Sequence, residues 1–178
     1  KYKKGNHWCT NRYPIGSEED LHSFIKKGYD DLYYSLSYWL YPSEKKKSIA
    51  SRIFLGSDLA LDFDGVRKEN IFKAIDFMLR HYPSIPLKYI LQSSNSHFHL
   101  VYGQEQILTL DTFKEKRKAL IQKLKEDKIE CDYTVIGDPY RVLRVPLSTH
   151  RSGFKTIFLA LDELNMIEVE EKGNKEKV

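Results

Sequence analysis

Cysteine is nearly absent from this chain: Cys9 and Cys131 are the only two in 178 residues. Two thiols cannot supply a disulfide framework, and no Cys-x-x-Cys spacing offers a zinc site. No zinc module is therefore expected, and a reduced, cytoplasmic setting is the default. Long apolar runs are missing too. None approaches the ~18 residues of a membrane span, and the chain as given opens with no signal-peptide pattern, so no membrane partner is expected. Neither sign of charge dominates. Lys and Arg number 29 against 25 Asp and Glu, an excess that permits a nucleic-acid partner without requiring one. What is present is a globular composition, 41% hydrophobic and 13% aromatic. It is spread over a length suited to a single domain, 1–178, with a real core. The chain starts at Lys1 without Met and stops in a charged run over 168–178. It reads as a segment of a longer protein, whose flanks would hold any accessory domain or subunit contact.

The most informative residues are Asp62 and Asp64, which close the apolar segment 55–65. Read as a strand, the segment has a side-chain period of two, so both carboxylates share one face. Two carboxylates that close repel and raise each other's pKa unless a cation neutralises them. Hard ions such as Mg²⁺ take oxygen ligands of this kind, usually together with substrate phosphates. The plainer reading of Asp62-Phe63-Asp64-Gly65 is a strand end and a turn, so the rest of the chain has to decide.

Element order supplies the context. Ser17 with Asp20 caps a short amphipathic helix that Gly28 stops, and the aromatic stretch 32–41 reads as a strand; together they form an N-terminal extension, 17–57. A core over 58–161 follows. A strand ends at Asp64, and Ile71, Ile75, Met78, Leu79 and Tyr82 mark a helix ending before Pro83. Segments 88–92 and 98–102 read as strands around a 93–96 turn. Thr112 and Glu115 read as a capping box for a helix through Leu120, Ile121 and Leu124. Segment 131–135 reads as a returning strand, and 141–145 and 156–161 as two appended strands. The class is α+β, in the β-α-β-β-α-β order of ferredoxin-like and RRM-like sheets. In that arrangement the first and third strands are antiparallel neighbours and the fourth flanks the first. Asp62, Asp64, His97, His99 and Asp132 would then converge at one end of the sheet.

Three converging carboxylates suit a two-metal nucleotidyl transfer, in which one ion activates a 3′-hydroxyl and the other stabilises the leaving diphosphate. His97 and His99 share a strand face and suit metal ligation, a phosphate contact or an ordinary structural pair. Ser93, Ser94, Asn95 and Ser96 offer hydroxyl and amide donors to phosphate oxygens. Arg141, Arg144, His150 and Arg151 surround a strand and turn; they suit a triphosphate, or an amphipathic strand with solvated arginines. Lys45 to Lys47 reads as a solvated loop or a backbone contact. In the aromatic band Tyr33, Tyr34, Tyr38, Trp39 and Tyr41, Tyr34 is the candidate for a sugar or base contact.

In this order the segments resemble the archaeo-eukaryotic primase superfamily, in particular the catalytic core of the primase small subunit and compact primase-polymerases. The family's Asp-hydrophobic-Asp motif resembles Asp62-Phe63-Asp64, and its Ser-Gly-x-x-Gly-x-His motif resembles residues 93–99. Its third carboxylate with a following basic-x-Pro-x-Ser-x-His block resembles Asp132 and residues 144–150. The resemblance covers roughly 17–161. It implies an RRM-like catalytic core with Asp62, Asp64 and Asp132 on two Mg²⁺ or Mn²⁺ ions. It further implies that Ser93, His99, Arg144 and His150 hold the incoming nucleotide's triphosphate; Asn95, Ser96, His97 and Ser148 are further candidates for nucleotide contact. The implied partners are a DNA template and primer with an NTP or dNTP, and compact members occur in plasmid, repair and CRISPR-associated settings. Ser94 and His97 replace the family's glycines, and its cysteine-rich module and long insertion are missing. Two other functions compete. His97-Phe98-His99 resembles the His-hydrophobic-His strand of rolling-circle nickases, although no helix carries a Tyr-x-x-Lys nucleophile. A non-catalytic RRM-like binding module would carry the aromatic RNP signature, which this chain lacks, and has no need of three converging carboxylates.

Overall fold

The computed structural model describes residues 2–4, 7–9, 19, 22–23, 32–40, 53–103, 109–149 and 153–166. Its centre is a four-stranded antiparallel sheet built from β6 (Leu59–Asp64), β7 (Leu87–Ser94), β8 (His97–Tyr102) and β10 (Ile157–Leu159), in the order β10-β7-β8-β6. β6 and β7 each run antiparallel to β8 between them, joined by helix α1 (Lys68–His81). That is a split β-α-β unit, and it places the first and third strands of the expected core side by side as the sequence implies.

Strict alternation sorts the sheet's two faces. Leu59, Leu61 and Phe63 of β6 join Phe98, Leu100 and Tyr102 of β8 in one core. Ile71, Ala74, Ile75, Phe77 and Met78 of α1 cover them, with Leu120 and Leu124 of α2 (Leu110–Glu126). Full burial of each large apolar side chain stabilises the fold by about 1.5–3 kcal/mol. The intervening residues Ala60 and Val101 face the other way. They form a second, smaller core with Leu36, Val135 and Leu143. Asp62, Asp64, His97 and His99 share this second face by register.

Three two-stranded pairings complete the described strands. β1 (Tyr2–Lys4) pairs with β2 (His7–Cys9), β4 (Ser37–Leu40) with β5 (Ile53–Ser57), and β3 (Tyr33–Ser35) with β9 (Val142–Arg144). The single strand expected over 32–41 is thus two strands in two pairings, broken at buried Leu36. There the backbone turns aside: Leu36 N–H donates to Arg141 O and Leu36 O accepts from Asp58 N–H.

Two further expectations are corrected. The capping box at Thr112 lies inside the helix, because Thr109 is the cap and its Oγ1 accepts from Thr112 N–H at 3.2 Å. Starting one turn earlier lets Phe113 enter the interior. The strand expected over 131–135 is instead a short helix, α3 (Tyr133–Gly137). Asp132 Oδ1 accepts from both Thr134 N–H (2.9 Å) and Thr134 Oγ1 (2.6 Å), and this local cap outcompetes the β propensity of Thr134 and Val135. One helical turn also delivers Ile136 to the first core and Val135 to the second. The full β-α-β-β-α-β sheet is therefore not formed, and the fourth strand is β10, beside β7. The last described helix, α4 (Leu161–Met166), follows β10 and buries Leu164. Most of the 17–28 helix, Tyr41, Lys45 to Lys47, His150, Arg151 and the 168–178 tail lie outside the described residues.

Candidate active site

The pairing of β6 with β8 sets Asp62 opposite His99 and Asp64 opposite His97. At the sheet's end His97 Nδ1 stands 2.9 Å from Asp64 Oδ1, with both side chains partly in solvent. One row inward the environment changes. His99 Nε2 lies 3.2 Å from Asp62 Oδ1, and both residues are buried, at 7% and 5% exposure. Gly65 closes the strand with φ +66°, a left-handed conformation that glycine adopts without strain. Its N–H donates to Ser96 O at 2.7 Å, tying the aspartate turn to the 95–96 hairpin turn.

Asp132 reaches the same place without a strand. Its backbone N–H donates to Asp62 O at 2.8 Å. The loop that carries it is clamped from α1, where the Asn70 side-chain amide donates to Glu130 O and its Oδ1 accepts from Glu130 N–H. Lys73 Nζ adds a bond to Asp127 O. Three elements thus deliver the five ionisable residues that the sequence brings together, although the third element is a capped loop.

The sixth member is Arg141. One guanidinium nitrogen, Nη2, lies 3.7 Å from Asp62 Oδ2 and 3.9 Å from Asp132 Oδ2. Its backbone is fixed because Arg141 O accepts from Leu36 N–H, and Ser37 Oγ holds Pro139 O beside it. The sequence identifies Arg141 only as one basic residue among four. Alternation explains why Arg141, and not Arg144, is aimed at the acids. Leu143 packs into the second core, Arg141 lies two residues before it on the same side, and Arg144 turns the opposite way. Arg144 stacks on the Tyr33 ring and donates to its hydroxyl at 3.1 Å.

The charge in this corner is net negative, and its neighbours register it. Burial, then Asp132 and Asp62, push the Cys131 thiol up to about 12. Desolvation works to raise Asp132 as well. The two bonds from Thr134 and the charge of Arg141 outweigh it and hold that carboxyl below its ordinary value.

Other sequence-identified residues are engaged locally. Ser93, at the irregularity between Gln92 and Ser94, donates weakly to His97 O at 3.4 Å, and Asn95 stands exposed at the turn tip. Ser148 closes its own turn by donating to Val145 O. Tyr34 packs against the second core with its hydroxyl on Tyr89, and burial raises its pKa.

The donor set fits a hard cation in chemistry. Asp62 Oδ1, His99 Nδ1 and Arg141 Nε are buried with no hydrogen-bond partner among the described residues. His99 Nε2 stands 3.2 Å from that carboxylate oxygen without forming a hydrogen bond to it, and burial in that state is costly. Among the described residues no group of three His, Cys, Asp or Glu side chains is arranged to hold a metal ion. Among the described residues, Arg141 is a cation within 4 Å of both Asp62 and Asp132. Among the described residues, no helix is long and apolar enough to cross a membrane. Comparison with protein-family models, with curated proteins and with solved structures finds no match to this chain.

Proposed function

We propose that this chain is a template-directed nucleotidyltransferase of the primase-polymerase kind, adding NTPs or dNTPs to a 3′-hydroxyl on a DNA template. One observation carries the reading: a buried carboxylate whose Oδ1 makes no hydrogen bond among the described residues, Asp62, stands with Asp64 and Asp132 at the end of two antiparallel strands beside an arginine. When bound, two Mg²⁺ or Mn²⁺ ions would supply charge neutralisation, a more acidic 3′-hydroxyl and a stabilised leaving diphosphate.

The chain's own groups do the rest. Asp62, Asp64 and Asp132 are the ligands, Asp62 fixed by its strand and Asp132 by its cap. His99 packs against Asp62 and keeps water from the inner row, and His97 orients Asp64 at the rim. The 93–96 turn is tied to the aspartate turn through Ser96 O and to Asp64 through His97, and in this reading Ser93, Asn95 and Ser96 donate to phosphate oxygens. Arg141 adds a positive charge beside the acids, which suits a substrate whose phosphates carry more charge than two ions neutralise.

The test is primer extension on a defined DNA template with Mn²⁺ or Mg²⁺. Metal-dependent, template-matched products that vanish in Asp62→Ala and Asp64→Ala support the reading. Strand nicking with a covalent tyrosyl product would replace it with a rolling-circle nickase. Nucleic-acid binding untouched by either substitution, with no synthesis, would replace it with a binding module.

A further inference from the structure

We propose that Arg141 is a built-in counter-cation that occupies the divalent-ion position between Asp62 and Asp132 and is displaced when an ion binds there. The inference rests on the metal-site reading above and says what that site does before metal arrives.

Three observations support it. First, a single nitrogen, Arg141 Nη2, stands about equally far from one oxygen of each carboxylate, at 3.7 and 3.9 Å. A structural Arg–carboxylate pair usually closes to 2.7–2.9 Å and is often bidentate. This one does neither, so it neutralises both acids without committing its donors to either. Second, the guanidinium is poorly anchored elsewhere. Its Nε is buried without a hydrogen-bond partner among the described residues, and 37% of the side chain is exposed, which leaves a route outward. Third, the backbone beneath it is held. Leu36 N–H grips Arg141 O, and Leu143 two residues on is sunk in the second core. The side chain can therefore swing without moving the strand.

Charge makes the two occupants exclusive. A divalent ion ligating Asp62 and Asp132 at the ~2.1 Å typical of Mg²⁺ would sit within a few ångströms of the guanidinium, and like charges that close are mutually unfavourable in a half-buried site. Arg141 must leave when the ion enters, and the carboxylates, now relieved of it, can close on the metal. In the metal-free protein the arginine balances the buried Asp62 and the partly exposed Asp132 beside it.

The test reads metal binding and not synthesis. Mn²⁺ affinity is measured by the loss of free-ion paramagnetic resonance for the wild type, Arg141→Gln and Arg141→Lys. Arg141→Gln removes the competing charge and is expected to bind about tenfold more tightly. Arg141→Lys keeps a charge on a flexible stem and is expected to stay near wild type. Equal or weaker binding by a folded Arg141→Gln overturns the proposal, as does failure of both proteins to bind Mn²⁺. Should Arg141→Gln not fold, the unaltered chain decides. On Mg²⁺ titration, the arginine side-chain Nε–H resonance missing from Arg141→Lys must shift; an unmoved resonance at saturating Mg²⁺ overturns the proposal. A chain that gains Mn²⁺ affinity but makes no product retains this inference and loses the polymerase. One that extends primers while Arg141→Gln binds no better does the reverse.

Discussion

At the scale of single residues, the site depends on side chains that hold backbone as much as on those that carry charge. Thr134 is one. It gives Asp132 two hydrogen bonds, one from the backbone and one from Oγ1. Thr134→Val keeps the first and loses the second, and chemical unfolding at pH 7 should report a loss of about 1 kcal/mol. The pH dependence has a definite sign. Asp132 is held below its ordinary value when folded. Its stabilising contribution is therefore present above the unfolded carboxyl value near ~3.9 and is lost as pH falls through the folded one. Thr134→Val weakens that depression, so the gap between the two proteins should narrow between pH 5 and pH 2.

Asn70 is the other. Its amide closes a pair of bonds with the backbone of Glu130, two residues before Asp132. In Asn70→Ala the amides of residues 130–132 should exchange with solvent roughly tenfold faster, while that of Leu100 in the sheet is unchanged. Equal protection throughout would show that the loop is held by something else. No sequence signal pointed to Asn70, because an amide on a helix surface pairing with backbone 60 positions away has no periodicity. Arg141 was half legible: its charge was visible, its partner was not. Asp132-Tyr133-Thr134 did contain its own answer, an acceptor two residues before a hydroxyl, and the β-branched run after it obscured a helix cap.

Elements show the same division. The hairpin around the 93–96 turn and the α1 helix follow from patterns each segment states alone, alternation, a turn and a three-to-four spacing, and the pairing of β6 with β8 follows from the order of those elements. The break of 32–41 at Leu36 and the loss of the fourth strand do not, since each is decided by distant partners, Arg141 and Asp58 in the first case and two separate cores in the second. Alternation along β6 makes a sharp stability prediction. Phe63 lies between the two aspartates but faces the helices and is fully buried. Phe63→Ala should cost about 3–5 kcal/mol. Leu79→Ala, on the solvent side of α1 at 66% exposure, should stay within about 0.5 kcal/mol. Comparable losses in urea melts would contradict the assignment of the two faces.

For the whole molecule, the mixed α+β chain places its acidic residues where the sheet's second face meets the β9 segment and the cap of α3. Packing there serves a cluster that is expensive in itself: a buried aspartate, a second carboxylate beside it, and an arginine that balances both without a close bond. A fold selected for stability alone would place apolar side chains at these positions. The cluster is accounted for if divalent ions and a nucleotide's phosphates belong to it. The most direct measurement is single-nucleotide incorporation opposite one defined template base with Mn²⁺, comparing wild type with Asp62→Asn, which keeps side-chain volume and removes the charge. Incorporation of the complementary nucleotide by wild type, and none by a folded Asp62→Asn, is the predicted result. Equal incorporation by both proteins, or none by wild type with any of the four nucleotides, would contradict it.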